Sequence, residues 1–295
     1  MRITITGATG LIGGAVRQRL TVSGHELRCL SRNAPSQSGW FHWDALAGTP
    51  PREALEGADA VIHLAGEPVA QRWSPDVKRR IRESREQGTQ ALVAGLAALS
   101  RKPEVLVSAS AVGYYGDRAG TVLTEQASSG SDFLSGVCAE WEQAAHLADA
   151  LGIRVVCIRI GVVLSAKGGA LAKMLPPFRL GLGGPIAGGR AWMSWIHVED
   201  LARLFAWAVE TPGLCGPVNA VSPGAVRNDE FTRILGATLH RPAVMPLPAF
   251  ALRLMYGEMA NVLLGSQHAV PEVAQRGGFQ FSWPELAPAL RNLLA

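Results

Sequence analysis

The chain has no pair of cysteines close enough in sequence to act together. Its four, Cys29, Cys138, Cys157 and Cys215, are widely spaced with no C-x-x-C pair, which excludes a disulfide scaffold and the common zinc spacings. Three of them sit in apolar or alternating runs, as buried thiols do, so a reducing compartment is expected. No apolar run approaches the roughly eighteen residues that a membrane span requires. The stretch from Pro242 to Leu264 comes nearest, but prolines break it, and core or lid packing is its expected use. Met1 to Thr6 runs straight into a strand pattern, which makes the cytoplasm the expected location. Lysine and tyrosine are scarce, with four and three among 295 residues.

Charge is present but evenly spread. With 48% hydrophobic and 18% charged residues and a net charge of +4, the composition is that of a soluble globular protein rather than a disordered one. The pI near 9.1 raises the question of nucleic acid. The only dense basic cluster is Lys78, Arg79, Arg80, Arg82 and Arg85, with Glu83 and Glu86 interleaved, which reads as a solvated helix face. No zinc-finger spacing, RNA-binding strand signature or helix-turn-helix pattern accompanies it. The expected partner is therefore a small-molecule substrate, with no nucleic acid, no membrane and no metal, for a monomer or homodimer.

Short apolar runs alternate with helical stretches over the first two thirds, the pattern of βαβ units around a parallel sheet. Strands are expected near 2–6, 26–31, 60–65, 105–110, 154–160 and 217–220, and helices at 11–23, 75–100 and 133–151. The helix stops fit proline at a first helical position and glycine just past an end. The glycine-rich segment 181–189, within an insertion around 165–195, and the tail after residue 221 do not fit the repeat and read as substrate-side additions.

The strongest chemical signal is Thr6-Gly7-Ala8-Thr9-Gly10-Leu11-Ile12-Gly13 between a strand and a helix. Gly7 permits the sharp turn, Gly10 lets the backbone approach a pyrophosphate, and Gly13 lets the helix pack closely on the sheet. Amides at the helix start then face the phosphates. The second strand ends Leu30-Ser31-Arg32 where an NAD site carries an acid, and a hydroxyl beside a guanidinium suits a 2′-phosphate, so NADP (NADPH) is the expected cofactor.

With this cradle, Val61-Ile62-His63-Leu64-Ala65-Gly66, Ser108-Ala109-Ser110-Ala111-Val112-Gly113-Tyr114-Tyr115-Gly116 and Trp195-Ile196-His197-Val198-Glu199-Asp200 in hand, the chain resembles the extended short-chain dehydrogenases. Leu64-Ala65-Gly66-Glu67-Pro68, Gly168-Gly169-Ala170-Leu171 and the tail through Gly278-Phe279 are similar to one atypical, epimerase-like subgroup with its own C-terminal domain. The resemblance implies an α/β fold. A Rossmann-type, doubly wound parallel sheet would span 1–220, with a small, mostly helical domain on the substrate side at 221–295. It also implies a cofactor site. Gly7, Thr9, Gly10, Leu11 and Ile12 would face the pyrophosphate, Ser31 and Arg32 the adenosine ribose, Asp44 the adenine, and Leu64, Ala65, Gly66 and Ser108 the nicotinamide side.

Redox members of that larger family use a Ser, an Asn and a Y-x-x-x-K pair, because a phenol needs a neighbouring ammonium to act as a base at neutral pH. No lysine follows a tyrosine at four here; Leu134, Cys138 and Arg85 fall at the Tyr, Lys and Asn positions, and Ser110 alone survives. Substitute proton donors are Tyr114, Tyr115 and Glu67, all at the carboxyl edge of the sheet. His197 reads as the start of a helix over 199–208. The glycines around Pro185, with Arg190 and Lys167, are expected to shape a pocket for an anionic substrate. The function expected is an oxidoreductase or epimerase-like activity on a small carbonyl or nucleotide-linked substrate. The alternative is a noncatalytic NADP(H) sensor or regulator, for example in cell-division control.

Overall fold

A computed structural model describes all residues, 1–295. Seven parallel strands form the central sheet: β1 (Arg2–Thr6), β2 (Glu26–Ser31), β3 (Trp40–His42), β4 (Ala60–His63), β5 (Val105–Ala111), β6 (Arg154–Ile160) and β7 (Gly216–Ala220). Their spatial order is β7-β6-β5-β4-β1-β2-β3, so the winding reverses between the adjacent strands β1 and β4. Ligands settle at the carboxyl ends of the strands flanking such a reversal.

Helices cover both faces, which is why the strand sequences are apolar runs rather than alternations. Helix α1 (Leu11–Val22) packs with α5 (Val198–Glu210) on one face, over a core that includes Ile3, Ile5, Val107 and Phe205. On the other face, α2 (Pro75–Ala97) and α3 (Phe133–His146) lie together over Val61, Leu106 and Val155. Ser74 caps α2 by accepting from the Val77 amide, with Pro75 as the first helical residue. His197 caps α5 in the same way, its Nδ1 accepting from the Glu199 amide at 3.1 Å.

Several expected boundaries shift, three of them at the ends of elements in or beside the sheet. The α-helix expected over 133–151 ends at His146 and finishes as a 3-10 turn, Leu147–Leu151, before the left-handed Gly152. Helix α2 ends at Ala97 rather than residue 100. The strand expected over 60–65 stops at His63, because the amides of Leu64 and Ala65 turn to the hydroxyl of Thr6 instead of a neighbouring strand.

The insertion and the tail build a second apolar centre together. Helix α4 (Gly169–Arg179) contributes Leu171, Leu175 and Phe178; α6 (Asn228–Thr238) contributes Phe231 and Leu235; and the last helix, Leu286–Leu294, contributes Leu286 and Leu290. Asp200 ties α5 to this tail by accepting from the amides of Ser282 and Trp283 at 2.9 and 2.8 Å. Much of the Pro242–Leu264 stretch departs from its expected role. Leu252, Met259 and Ala260 are buried, but Val244, Phe250 and Leu254 are 73–79% exposed.

Candidate functional site

The turn after β1 is built as the glycine spacing requires. Gly7 has φ +67°, and a Cβ there would lie 2.8 Å from the Leu64 carbonyl carbon. At Gly13 a Cβ would sit 2.2 Å from the Gly7 oxygen, so strand, turn and helix fit together only with glycine at both places. Helix α1 starts at Gly10 with no side-chain cap, which leaves its first amides open to an anion.

Around this turn lies a cleft of about 410 Å³ that gathers Gly7, Thr9, Gly10, Ser31, Arg32, Asp44, Leu64, Ala65, Gly66 and Glu67. Leu11, Ile12 and Ser108, expected in the same set, are not part of its lining. The cleft adds Trp43, Ala45 and Ser84, together with Arg80, which the sequence led one to expect on a solvated helix face. Thr9 and Ser31 are hydrogen-bonded across the turn at 3.0 Å. Asp44 accepts from the Leu46 amide at 3.1 Å, so its side chain also shapes the loop. The arginine at the end of β2 is 61% exposed in its side chain, and its only ionic neighbour is Glu67, at 3.8 Å. Arg80 stands 3.8 Å from the same carboxylate, which puts Glu67 between two guanidiniums at the mouth of the cleft.

A buried relay fixes the loop after β4. Thr6 Oγ1 accepts from the amides of Leu64 at 3.0 Å and Ala65 at 3.1 Å, and lies 2.7 Å from His63 Nδ1. With both amides donating to that oxygen, its single proton goes to Nδ1, and His63 donates through Nε2 to Thr89 at 3.0 Å. Burial, with a smaller push from the Arg85 charge, lowers the His63 pKa to about 3 and keeps the ring neutral.

At the positions where the resemblance puts the missing proton-relay residues, Cys138 is buried while Leu134 and Arg85 are half-buried. Leu134 and Cys138 face Gly113 from α3. Burial raises the Cys138 thiol to about 12, so it holds no thiolate at neutral pH. Arg85 donates to the carbonyls of Glu67 and Ile81, both at 3.0 Å, and its guanidinium lies 4.9 Å from the Trp141 ring centre. It braces the Gly66–Glu67 turn from behind.

Ser110 donates to Glu142 at 2.7 Å, and Glu142 holds Arg159 through two bonds of 2.8 Å. Burial opposes the Arg159 cation, but the hydrogen bonds and charge of Glu142 outweigh it and raise its pKa. The same guanidinium donates to the Tyr115 hydroxyl at 3.0 Å, which itself donates to Asn219 at 2.6 Å. Tyr115 is fully buried with its hydroxyl engaged on both sides. Tyr114 is half-buried; its ring lies 3.6 Å below the Arg159 guanidinium, and its hydroxyl makes no hydrogen bond within the chain. The signal for this network was a charged residue inside the apolar strand Arg154–Ile160 and an asparagine inside β7.

A second cavity of about 490 Å³ opens between the sheet and the tail, with Val112, Val162, Met193, Trp192, Arg190 and Arg227 among its walls. Arg190 is therefore in a cavity as expected, but Lys167 stands outside it. The loop carrying Lys167 folds over the cradle, where a Cβ on Gly168 would lie 3.6 Å from Leu11. The expected Arg190 and Lys167 pair is thus divided between two places. Trp192 is stacked on His268 at 3.9 Å, with the Arg227 guanidinium 5.4 Å from its ring centre. No cluster of three or more His, Cys, Asp or Glu residues suits a metal ion. Basic residues of α2 have carboxylate partners, only one of them on the helix itself: Arg79 pairs with Asp76 at 3.1 Å, Lys78 with Glu258 of the tail at 2.8 Å, and Arg82 with Glu140 of α3 at 3.3 Å.

Comparison with known proteins agrees with this geometry. Residues 3–219 match the model of the NAD dependent epimerase/dehydratase family, and residues 247–293 match a domain of unknown function. The chain is 40% identical over 302 residues to a chloroplastic homologue of epimerase family protein SDR39U1 from Arabidopsis thaliana, covering 100% of this chain and 87% of that protein. It is 38% identical over 299 residues to epimerase family protein YfhF of Bacillus subtilis, covering 100% and 98%. The crystal structure of human epimerase family protein SDR39U1 with NADPH superimposes with a TM-score of 0.90 at 36% identity, covering 99% of each chain.

Proposed function

Because the chain belongs to the NAD dependent epimerase/dehydratase family, we propose that it binds NADP(H) in the cleft beside β1 and acts as an oxidoreductase or epimerase-like protein. Its substrate would be a small carbonyl or nucleotide-linked compound carrying negative charge. One observation carries the cofactor reading: a glycine turn that tolerates no Cβ, Gly10 at the uncapped start of α1, and Arg32 meet in a single cleft. The human relative crystallised with NADPH supports it. The amides of α1 and Thr9 would hold the pyrophosphate, Ser31 and Arg32 the 2′-phosphate, and the Leu64–Gly66 turn the second ribose. A bound NADPH would supply hydride.

The chain's own residues would position the substrate and move the proton. Among Ser110, Tyr114, Tyr115 and Glu67, the geometry favours Tyr114, the one phenol at this edge whose hydroxyl is not already engaged. Ser110 and Tyr115 would act as its support through Arg159, and Glu67 as a screen between Arg32 and Arg80. Arg190, reaching into the second cavity, would meet the substrate's anionic group, with the insertion and tail forming that side of the site. The protein is read as cytoplasmic and as a monomer or homodimer.

A second reading has its own support: Leu134 and Cys138 replace the proton couple, and Ser110 is tied to Glu142. That arrangement suits a noncatalytic NADP(H)-responsive protein. Purified protein incubated with NADPH and a carbonyl library, followed by absorbance of the reduced ring, separates the two. Turnover abolished in Tyr114→Phe with NADPH affinity intact supports the enzyme. Tight binding with no turnover supports the sensor. Calorimetry with neither NADPH nor NADH giving heat refutes both.

A further inference from the structure

Most large apolar residues exposed outside the tail's first half are scattered singly, as on any soluble protein. One face is different. Leu180, Val244, Met245, Phe250, Leu254 and Met255 are 53–79% exposed and lie on two adjoining segments. The segments are joined by backbone bonds: the Met245 amide to Gly183 at 3.0 Å, the Leu247 amide to Pro185 at 2.9 Å and the Ala187 amide to Leu247 at 2.9 Å. Helix α7 (Ala249–Tyr256) follows directly, with Phe250 and Leu254 one turn apart and only Leu252 turned into the protein. Arg72 secures its far end through the carbonyls of Leu254 and Met255.

The charges on these segments are all of one sign. There is no Asp or Glu between Asp149 and Glu199, nor between Glu230 and Glu258, in a chain whose net charge is only +4. Arg179, Arg241 and Arg253 are exposed beside the apolar side chains, and neither segment holds a carboxylate to neutralise them. Arg241 donates to the backbone carbonyls of Arg179 and His240.

We infer that this face docks on an anionic lipid bilayer surface. A second copy placed face to face would set arginine against arginine, which a self-complementary contact does not tolerate. Side chains more than half exposed, four of them by about three-quarters, stand clear of their neighbours and suit a fluid surface into which they can insert. The arginine heads then meet lipid phosphates while their stems lie along the apolar side chains. The sequence leads one to expect no membrane partner, and no helix is long and apolar enough to cross a membrane. Lying on a bilayer surface needs neither a span nor a long helix.

The test is vesicle flotation of the full chain, with phosphatidylcholine alone and with equal parts phosphatidylglycerol and phosphatidylcholine. Binding to the anionic vesicles at least tenfold above the neutral ones, falling as salt is added, is expected. Phe250→Ser with Leu254→Ser should reduce it roughly tenfold or more. Arg179→Gln with Arg253→Gln should reduce it by about fivefold for each arginine. All four side chains are exposed, and unchanged NADPH affinity and circular dichroism would show the fold intact. Absence of anionic-vesicle binding at low salt, equal binding to neutral vesicles, or indifference to both double variants overturns the inference. So does a salt-insensitive dimer that dissociates in the Phe250→Ser, Leu254→Ser variant, which would assign the face to a second copy.

Discussion

Replacing Thr6 by valine removes one hydroxyl and keeps the shape of a β-branched strand residue. That hydroxyl serves three partners: the amides of Leu64 and Ala65, at 3.0 and 3.1 Å, and His63 Nδ1 at 2.7 Å. Thr6 and His63 are both fully buried, so water does not replace what is lost at the ring. Leaving a buried polar group without a partner costs about 1–3 kcal/mol, and the two amides, less deeply buried, fall at the low end, so Thr6→Val should cost about 3–5 kcal/mol. That is a large share of a typical net stability of roughly 5–15 kcal/mol. Urea unfolding should show a lower midpoint with an unchanged slope. NADPH affinity should weaken as well, since the freed loop lines the cleft. Thr6→Ser keeps the hydroxyl and loses one methyl, which costs about 1 kcal/mol. If the valine variant is no less stable than the serine variant, the proposed relay through Thr6 is wrong.

Gly13→Ala should abolish NADPH binding and cost about 3 kcal/mol, because its Cβ would lie 2.2 Å from the Gly7 oxygen. Gly14→Ala, with nothing within 4 Å, should be neutral or slightly stabilising, and calorimetry plus thermal melting of the pair checks the contrast. Glu142→Ala leaves the Arg159 cation buried and should cost roughly 3–5 kcal/mol by denaturant titration, much of it recovered when Arg159→Met is added. Stability should also fall on acidification. His63 titrates near 3 in the folded chain against an ordinary 6.5, and burial lowers His197 too, so the unfolded chain takes up the protons first. The loss begins below about pH 6.5, at about 1.4 kcal/mol per pH unit for His63, and levels off near pH 3. A flat profile between pH 6.5 and 4, followed by fluorescence at fixed urea, would contradict a neutral buried His63.

The glycine turn after β1 was legible in sequence because its parts are neighbours along the chain. Strand, turn and helix start fit within Arg2 to Gly13, and the glycine spacing states the steric demand directly. Arg32 could be added because a parallel second strand with Thr6 opposite Leu30 brings its end beside the turn. The alternation of apolar runs and helices likewise fixed the doubly wound sheet, since a strand buried on both faces has to be apolar throughout.

The tertiary structure alone decided which polar residues meet. Sequence marks Arg159 and Asn219 as polar groups inside strands, but only packing pairs the first with Glu142 and links the second to Tyr115 across 104 residues. Tyr114 and Tyr115 look equivalent as neighbours, yet the backbone turn at Val112–Tyr115 buries one hydroxyl in that network and leaves the other without an internal partner. Arg190 lines the second cavity while Lys167 is exposed outside it, and Phe250 and Leu254 stand outside rather than within a core. Local pattern records what a residue can tolerate; which partner satisfies it depends on chain segments brought together from far apart.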